Sequence, residues 1–284
     1  MIISVARPEP APDGSAQLVR EWEPPATESA TPIGDIVIVH GIGEHSGRYA
    51  NTGSWLAEAG YRVRGFDLLG FGASSGTRGD IARWSLYLDQ VEGHLRAMRT
   101  DGRPLVLFGH SLGGLIATEY AVSERPQPDL LILSSPSLMG GAAWQKALAP
   151  FFGRAFPTLA MPTAVKGAML SRDPSVGEAY FADPLNLFKA TARLGAHAFA
   201  AQARVAPLLS RIKIPTFVFH GGEDTLVPPA ASELLVGPNN PQATHIERHL
   251  YPNLRHETLN EPEGKLVIGD VIKWLATNGE KVSQ

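Results

Sequence analysis

Cysteine is absent from the 284 residues, so the chain has no disulfide framework, no thiolate nucleophile and no cysteine-based zinc site. Charge is sparse as well. Only 19% of residues are charged, the formal net charge is -3, and no block of like charges occurs, which leaves no electrostatic footprint for nucleic acid or for an anionic membrane surface. No uncharged apolar run approaches the roughly 20 residues that would span a bilayer. The short apolar patch at Ile2 and Ile3 has no basic stretch before it and is soon cut by Pro8, so no signal peptide is expected. A cytoplasmic protein, at most peripheral to a membrane, is the expectation. Internal repeats and low-complexity tracts are also missing.

What is present is 44% apolar content in a chain long enough to bury a large core. Residues 1–16 are rich in Pro and Ala with little periodicity and read as a loose N-terminal arm, followed by a strand at Gln17 to Trp22. Asp35 to His40 is a continuous β-branched run, the pattern of a strand buried on both faces. Further strands are expected at Tyr61 to Asp67, Leu105 to His110, Asp129 to Ser134, Pro215 to His220 and His245 to Tyr251. Helices are expected at about Arg48 to Gly60, Trp84 to Arg99, Leu115 to Val122, Ala230 to Leu235 and Gly264 to Ala276. Strand and helix alternate, which implies right-handed crossovers and a mostly parallel sheet with helices on both faces. The class is α/β.

The alternation stops between about 136 and 206, where helical stretches are broken by Pro150, Pro157, Pro162, Pro174 and Pro184. This divides the chain into a first core part (1–135), a helical cap (136–206) and a second core part (207–284).

Leu105 to Gly114 is a buried strand running into Gly109-His110-Ser111-Leu112-Gly113 and then a helix, the context that Gly-x-Ser-x-Gly needs to form a nucleophile elbow. A serine on so tight a turn has glycines where no Cβ can be tolerated. The helix behind it turns its N-terminal N–H groups toward a developing oxyanion, with Leu112 supplying the first. His40-Gly41-Ile42-Gly43, after the first buried strand, supplies the second N–H, assigned to Ile42.

A serine hydroxyl needs an imidazole to take its proton and a carboxylate to fix the imidazole tautomer, and in this order of elements both follow the serine. Asp224, in a loop after a strand, is the expected acid, with Glu223 the nearer rival and helix capping the bland alternative. His256, in the loop before the closing helix, is the expected base. His245 and His249 read as surface positions and His220 as packing. Gly41-x-Gly43-x-x-x-Gly47 with Asp67 is a poor dinucleotide fingerprint, since its third glycine is one residue late. His40, Glu44 and His45 lack metal-motif spacing, so neither cofactor nor metal is expected.

These residues resemble the α/β-hydrolase superfamily, and within it the monoacylglycerol lipase and lysophospholipase group. The likeness rests on His40 to Tyr49, Gly109 to Gly114, Ser171-Arg172-Asp173-Pro174, Gly222 to Pro228 and His256-Glu257, and extends from about residue 17 to the end. It implies an α/β-hydrolase fold with a helical cap, a cofactor-independent serine hydrolase, and a glycerol head met by Glu44, Arg48 and Tyr180. Two positions depart from the group: Leu112 stands where methionine is usual, and Leu69-Gly70-Phe71-Gly72 replaces a Gly-His-Gly, a change expected to bear on the pocket.

The expected activity is cleavage of esters of single-chain lipids, monoacylglycerol first. The alternatives are a lysophospholipase, a general short-chain carboxylesterase, or a non-catalytic ligand-binding protein on the same scaffold. Phe151, Phe152, Leu159, Met169 and Leu170 are candidates either for an acyl tunnel or for the core of the helical layer. Transient contact of the cap with membranes or lipid aggregates belongs to the same expectation, whereas nucleic acid does not.

Overall fold

Strand β3 (Gly34–Val39) is buried along its whole length, as its unbroken run of β-branched residues requires. The computed structural model describes residues 1–25, 31–163, 165–237, 240 and 243–282. Among these, β3 lies inside an eight-stranded sheet that also contains β1 (Val5–Pro10), β2 (Ala16–Trp22), β4 (Tyr61–Phe66), β5 (Leu105–His110), β6 (Leu130–Ser134), β9 (Thr216–Gly221) and β10 (Ile246–Tyr251). The spatial order is β1-β2-β4-β3-β5-β6-β9-β10. From β4 to β10 every pair is parallel, while β2 runs antiparallel to β4 and β1 antiparallel to β2.

Side chains alternate across a strand, so each central strand feeds two cores. Ile36, Ile38, Val106, Phe108, Leu130, Ile132, Phe217 and Phe219 pack on one face with Leu56 and Ala57 of helix α1 (Ala50–Glu58) and Val267, Val271 and Trp274 of helix α9 (Gly264–Val282). Val37, Val39, Leu105, Leu107, Leu131, Leu133 and Val218 pack on the other face with α2 (Ser85–Met98) and α3 (Leu112–Ala121). Parallel strands end on the same edge, so the loops after β3, β5, β9 and β10 gather there, where open α/β sheets hold their chemistry.

The N-terminal arm is not loose. Residues Val5 to Pro10 pair with Ala16 to Glu21 as the outermost strand, where the missing N–H groups of Pro8 and Pro10 cost least. Arg64 fastens this edge by bonds to Glu9 and Glu21.

Between β6 and β9 lie α4 (Ala143–Ala155), β7 (Ala160–Pro162), α5 (Gly167–Leu170), α6 (Pro174–Ala182), β8 (Lys189–Thr191) and α7 (Ala192–Val205), and the short α8 (Ala230–Glu233) follows β9. The β7–β8 ribbon was not anticipated, because three-residue strands carry no periodicity to read. Pro150 does not break α4. None of that helix is buried, so water can take up the carbonyl that proline leaves without a donor.

Candidate active site

Ser111 sits between β5 and α3 at φ 54°, ψ -116°, a backbone conformation that costs a non-glycine residue on the order of 1–3 kcal/mol. Its surroundings hold it there. The Ser111 N–H donates to Ser134 O (3.0 Å), and its carbonyl accepts from Leu115 N (3.1 Å) and Ser137 N (3.0 Å). The flanking glycines are required by space: a Cβ on Gly109 would lie 2.4 Å from Gly113 O, and one on Gly113 2.1 Å from Val39 O. Ser135, at φ 42°, is the other non-glycine residue with positive φ among those described, and its Oγ donates to His256 O (2.9 Å). The strained end of β6 thus anchors the backbone of the candidate base. Nothing in the sequence marked Ser135.

Asp224 reaches the site because Gly221 and Gly222 let its loop lie against residues 252–255. A Cβ on Gly221 would stand 2.2 Å from Arg255 O, and one on Gly222 2.4 Å from Pro252 O. Asp224 Oδ2 is 2.7 Å from His256 Nδ1, while Oδ1 accepts the N–H groups of Leu226 (2.8 Å) and Val227 (2.9 Å). Glu223, the rival, is exposed. Burial would raise the Asp224 carboxyl, but bonds from His220 and His256 and the charge of His256 outweigh it and hold the group well below its ordinary range. Burial would likewise lower His256, but the bond and charge of Asp224, with Glu257 and Glu44 beyond, carry it above its usual value.

His220 is not packing alone, since its Nε2 lies 3.0 Å from Asp224 Oδ2. No spacing in the sequence marked it as a partner of the candidate acid. His245 Nε2 holds Ile212 O (2.9 Å) at the base of β10, and the half-exposed His249 pairs with Glu247.

The loop after β3 is stitched together by its own polar residues. His40 lies between Gly41 O (2.7 Å, from Nδ1) and Leu68 N (2.9 Å, to Nε2), which assigns the proton to Nδ1, and burial pushes its pKa down. Glu44 Oε1 accepts Gly41 N–H (2.6 Å) and Tyr49 OH (2.8 Å); Oε2 accepts from Arg48 (2.7 Å). Gly41 lies so close to the serine that a Cβ on it would be 3.1 Å from Ser111 Cβ. Neither the Ile42 nor the Leu112 N–H makes a hydrogen bond among the described residues; Ile42 lines the same cavity as Ser111, and Leu112 follows the serine as the first residue of α3.

Glu44, Arg48 and Glu257 form a buried cluster. Arg48 bonds Glu257 through both terminal nitrogens (2.6 and 2.8 Å) while also holding Glu44. Burial opposes the charge on Glu44, but Arg48, His110 and His40 bring its pKa down to about 2, and Arg48 does the same in direction for Glu257. Burial pushes His110, which bonds Ser134 Oγ (3.0 Å), down to about 4, so it is neutral beside His256. Tyr180 stacks its ring under Arg48 at 4.9 Å and donates its hydroxyl to Gly43 O (3.1 Å), a carbonyl that also accepts Leu187 N–H (2.9 Å). The expected head-group tyrosine therefore spends its hydroxyl on joining α6 to the loop after β3. His45 makes a second such link, Nε2 to Asp183 Oδ2 at 2.9 Å.

One cavity of about 450 Å³ joins these parts. Ser111, His256, Glu44, Arg48 and Tyr180 lie on its wall, and it continues between α4 and α7 past Phe152, Leu159, Leu170 and Phe199. Phe151 points to solvent instead, and Met169, off the cavity, offers its carbonyl to the His256 N–H (3.4 Å). Residues 69–72, the departure expected to bear on the pocket, are not on its wall, because Gly70 and Gly72 fold that loop back on Asp80 and Asp67. Ser111 Oγ makes no hydrogen bond among the described residues, a spacing that commonly tightens only when substrate arrives.

Residues 30–263 match the family described as Hydrolase_4, serine aminopeptidase S33. A monoacylglycerol lipase of Mycolicibacterium smegmatis is 30% identical over 271 residues, 93% of this chain and 95% of that protein. Phospholipase YtpA of Bacillus subtilis is 32% identical over 242 residues, 82% of this chain and 91% of that protein. Among solved structures, the monoacylglycerol lipase of Paleococcus ferrophilus superposes with a TM-score of 0.81 at 30% identity, covering 88% of this chain and 96% of that one.

Proposed function

This chain belongs to the serine aminopeptidase S33 (Hydrolase_4) family of α/β-hydrolases and is a carboxylic ester hydrolase of lipids, and we propose that it cleaves monoacylglycerol to fatty acid and glycerol through an acyl-enzyme on Ser111. Ser111 Oγ attacks the acyl carbonyl as His256 Nε2 takes its proton, and the N–H groups of Ile42 and Leu112 receive the oxyanion. As the bond from acyl carbon to glycerol oxygen breaks, His256 returns the proton to that oxygen. Water then attacks the acyl-enzyme with His256 again as base, releasing the acid and restoring Ser111. Asp224 keeps the imidazole proton on Nδ1 throughout, at 2.7 Å.

The charge of the polar cluster beside the serine carries the choice of substrate. Glu44 and Glu257 are held ionised around the single guanidinium of Arg48, two negative charges against one positive, so the cluster is net -1. A phosphodiester head is repelled by that charge, whereas a neutral diol can donate to the remaining lone pair of Glu44 Oε2. The apolar remainder of the cavity fits one acyl chain. This favours monoacylglycerol over a lysophospholipid, although one relative is named a phospholipase.

Residues 136–206 serve as the cap, and its exposed apolar side chains rest transiently on lipid aggregates. Trp144 and Leu148, which also line the cavity, are exposed with Phe151 and Phe156 on a segment that carries Lys146 and Arg154. No helix among the described residues is long and apolar enough to cross a membrane.

The test is hydrolysis of a panel of mono-, di- and triacylglycerols, lysophospholipids, short-chain p-nitrophenyl esters and an aminoacyl p-nitroanilide, alongside labelling by a fluorophosphonate. The expected result is fastest turnover of monoacylglycerol, with label on Ser111 that disappears in Ser111→Ala together with about 10⁴-fold or more of the rate. Preference for a lysophospholipid would reverse the substrate assignment, and a folded protein that neither takes the label nor turns over any ester would leave a binding protein.

A further inference from the structure

Asp224 faces two histidines, of which the mechanism above uses one. Its Oδ2 is 2.7 Å from His256 Nδ1 and 3.0 Å from His220 Nε2, and the His220 and Asp224 side chains are both without solvent exposure. His220 Nε2 is also 3.0 Å from Val227 O. Both neighbours of that nitrogen are acceptors, so it carries the ring proton and shares it between them. Among the described residues, the other nitrogen, Nδ1, is buried with no hydrogen-bond partner.

The placement follows from the strand. On β9, Phe217 and Phe219 turn toward α1 and α9, so Val218 and His220 turn to the opposite face, and the tight loop brings Asp224 back over His220. His220 is not on the cavity wall. Among the described residues, Asp224 has four donors: two backbone N–H groups of the loop on Oδ1, and His220 and His256 on Oδ2.

We propose that His220 is a positioning residue for the hydrolysis, a buried imidazole that shares the Asp224 oxygen used by His256 and so limits how tightly that carboxylate holds the proton on His256. The proposal rests on the reading of Asp224 and His256 as acid and base. Removing the His220 donor concentrates charge on Oδ2, strengthens its hold on the His256 imidazolium, and raises the pH at which the base becomes available. The other groups around His256 stay as they are: Glu257 beside it, Glu44 and Arg48 from the loop after β3, and His110 from β5, whose ring centroid is 4.9 Å away. Among the described residues, none of these bonds to His220.

The experiment is the pH dependence of kcat/KM on p-nitrophenyl butyrate for the full chain and for His220→Gln, His220→Asn, His220→Leu and Asp224→Asn. A glutamine amide nitrogen can occupy the place of His Nε2, whereas an asparagine amide falls short and leucine has no donor. The acid limb of His220→Asn and His220→Leu is expected to move up by roughly 0.5–1 pH unit, with His220→Gln restoring the wild-type limb and KM nearly unchanged in all three. The Nδ1 proton resonance of His256 should persist to correspondingly higher pH in the two donorless variants. Reading both keeps the outcome independent of how either one folds. Acid limbs that overlay the wild type, or that move equally in His220→Gln and His220→Asn, overturn the proposal. If Asp224→Asn itself keeps near-normal kcat/KM, the acid has been misassigned, and that result is distinct from a collapsed Asp224→Asn beside unmoved His220 variants.

Discussion

Arg48 and Glu257, 209 positions apart, close a two-bonded ion pair at 2.6 and 2.8 Å that ties the loop after β3 to the residue next to His256. Both side chains are almost fully buried, so the pair matters chiefly when one partner is lost. Glu257→Ala is expected to destabilise the protein by about 3–5 kcal/mol, read as a lower urea midpoint. Arg48→Lys should lose much of the same stability, because a single ammonium cannot reproduce two parallel bonds while also holding Glu44. Unchanged midpoints in both variants would contradict this role.

Asp224→Asn presents the wrong hydrogen to the imidazole and should lower kcat by about 10⁴-fold. Glu223→Gln, exposed and beside it, should stay within a few-fold of wild type. Reversed results would move the acid to Glu223.

The acid limb of kcat/KM should have its midpoint above 6.5, the ordinary value for histidine, because Asp224 and the neighbouring carboxylates favour charged His256 over the effect of burial. The base works when neutral, so activity rises with pH through that midpoint. Stability takes both signs. A raised His256 contributes stability that is complete below 6.5 and is lost as pH rises through its folded value. Glu44, lowered from 4.5 to about 2, contributes stability that is present above 4.5 and lost as pH falls across that window. Urea midpoints measured from pH 2 to 9 should therefore fall most steeply on the acid side, where Glu44, Glu257 and Asp224 act together.

Glu44→Gln separates the two uses of that side chain. Weakening the bond to Gly41 N–H should slow all esters by a common factor of about ten, since it loosens the loop that carries Ile42. A further loss of several-fold confined to monoacylglycerol is the head-group contribution. Equal loss on monoacylglycerol and p-nitrophenyl butyrate would leave Glu44 with the loop alone.

Phe151 is 61% exposed and Trp144 64%, and neither position supports the core. Phe151→Glu should lower the rate on dispersed long-chain monoacylglycerol several-fold while leaving hydrolysis of a dissolved short-chain ester unchanged. The measurement is the pair of rates, and equal effects on both substrates would remove the proposed contact with lipid surfaces.

The strands, the alternation and the Gly-Ser-Gly turn were legible because each is written locally. A two-faced apolar run needs only its own residues, and the glycines at 109 and 113 announce the turn whatever surrounds it. The prolines at positions 8 and 10 misled for the same reason, since a local pattern does not say that a strand will lie at an edge where N–H groups are not needed. The chain order of the candidate serine, acid and base could also be read, but contact between Asp224 and His256 depends on Gly221 and Gly222 lying against residues 252–255. Ser135, His220 and Glu257 could not be assigned beforehand. Each acts through a partner on another element, His256 O, the shared Oδ2 of Asp224 and Arg48, and serine, histidine and glutamate occur too commonly to signal such a partner by spacing. Local sequence determined which segments form the sheet and which turn presents a serine. Tertiary packing decided which buried charges face one another, because in a low-dielectric interior the charge and proton position of each group are set by its neighbours in space.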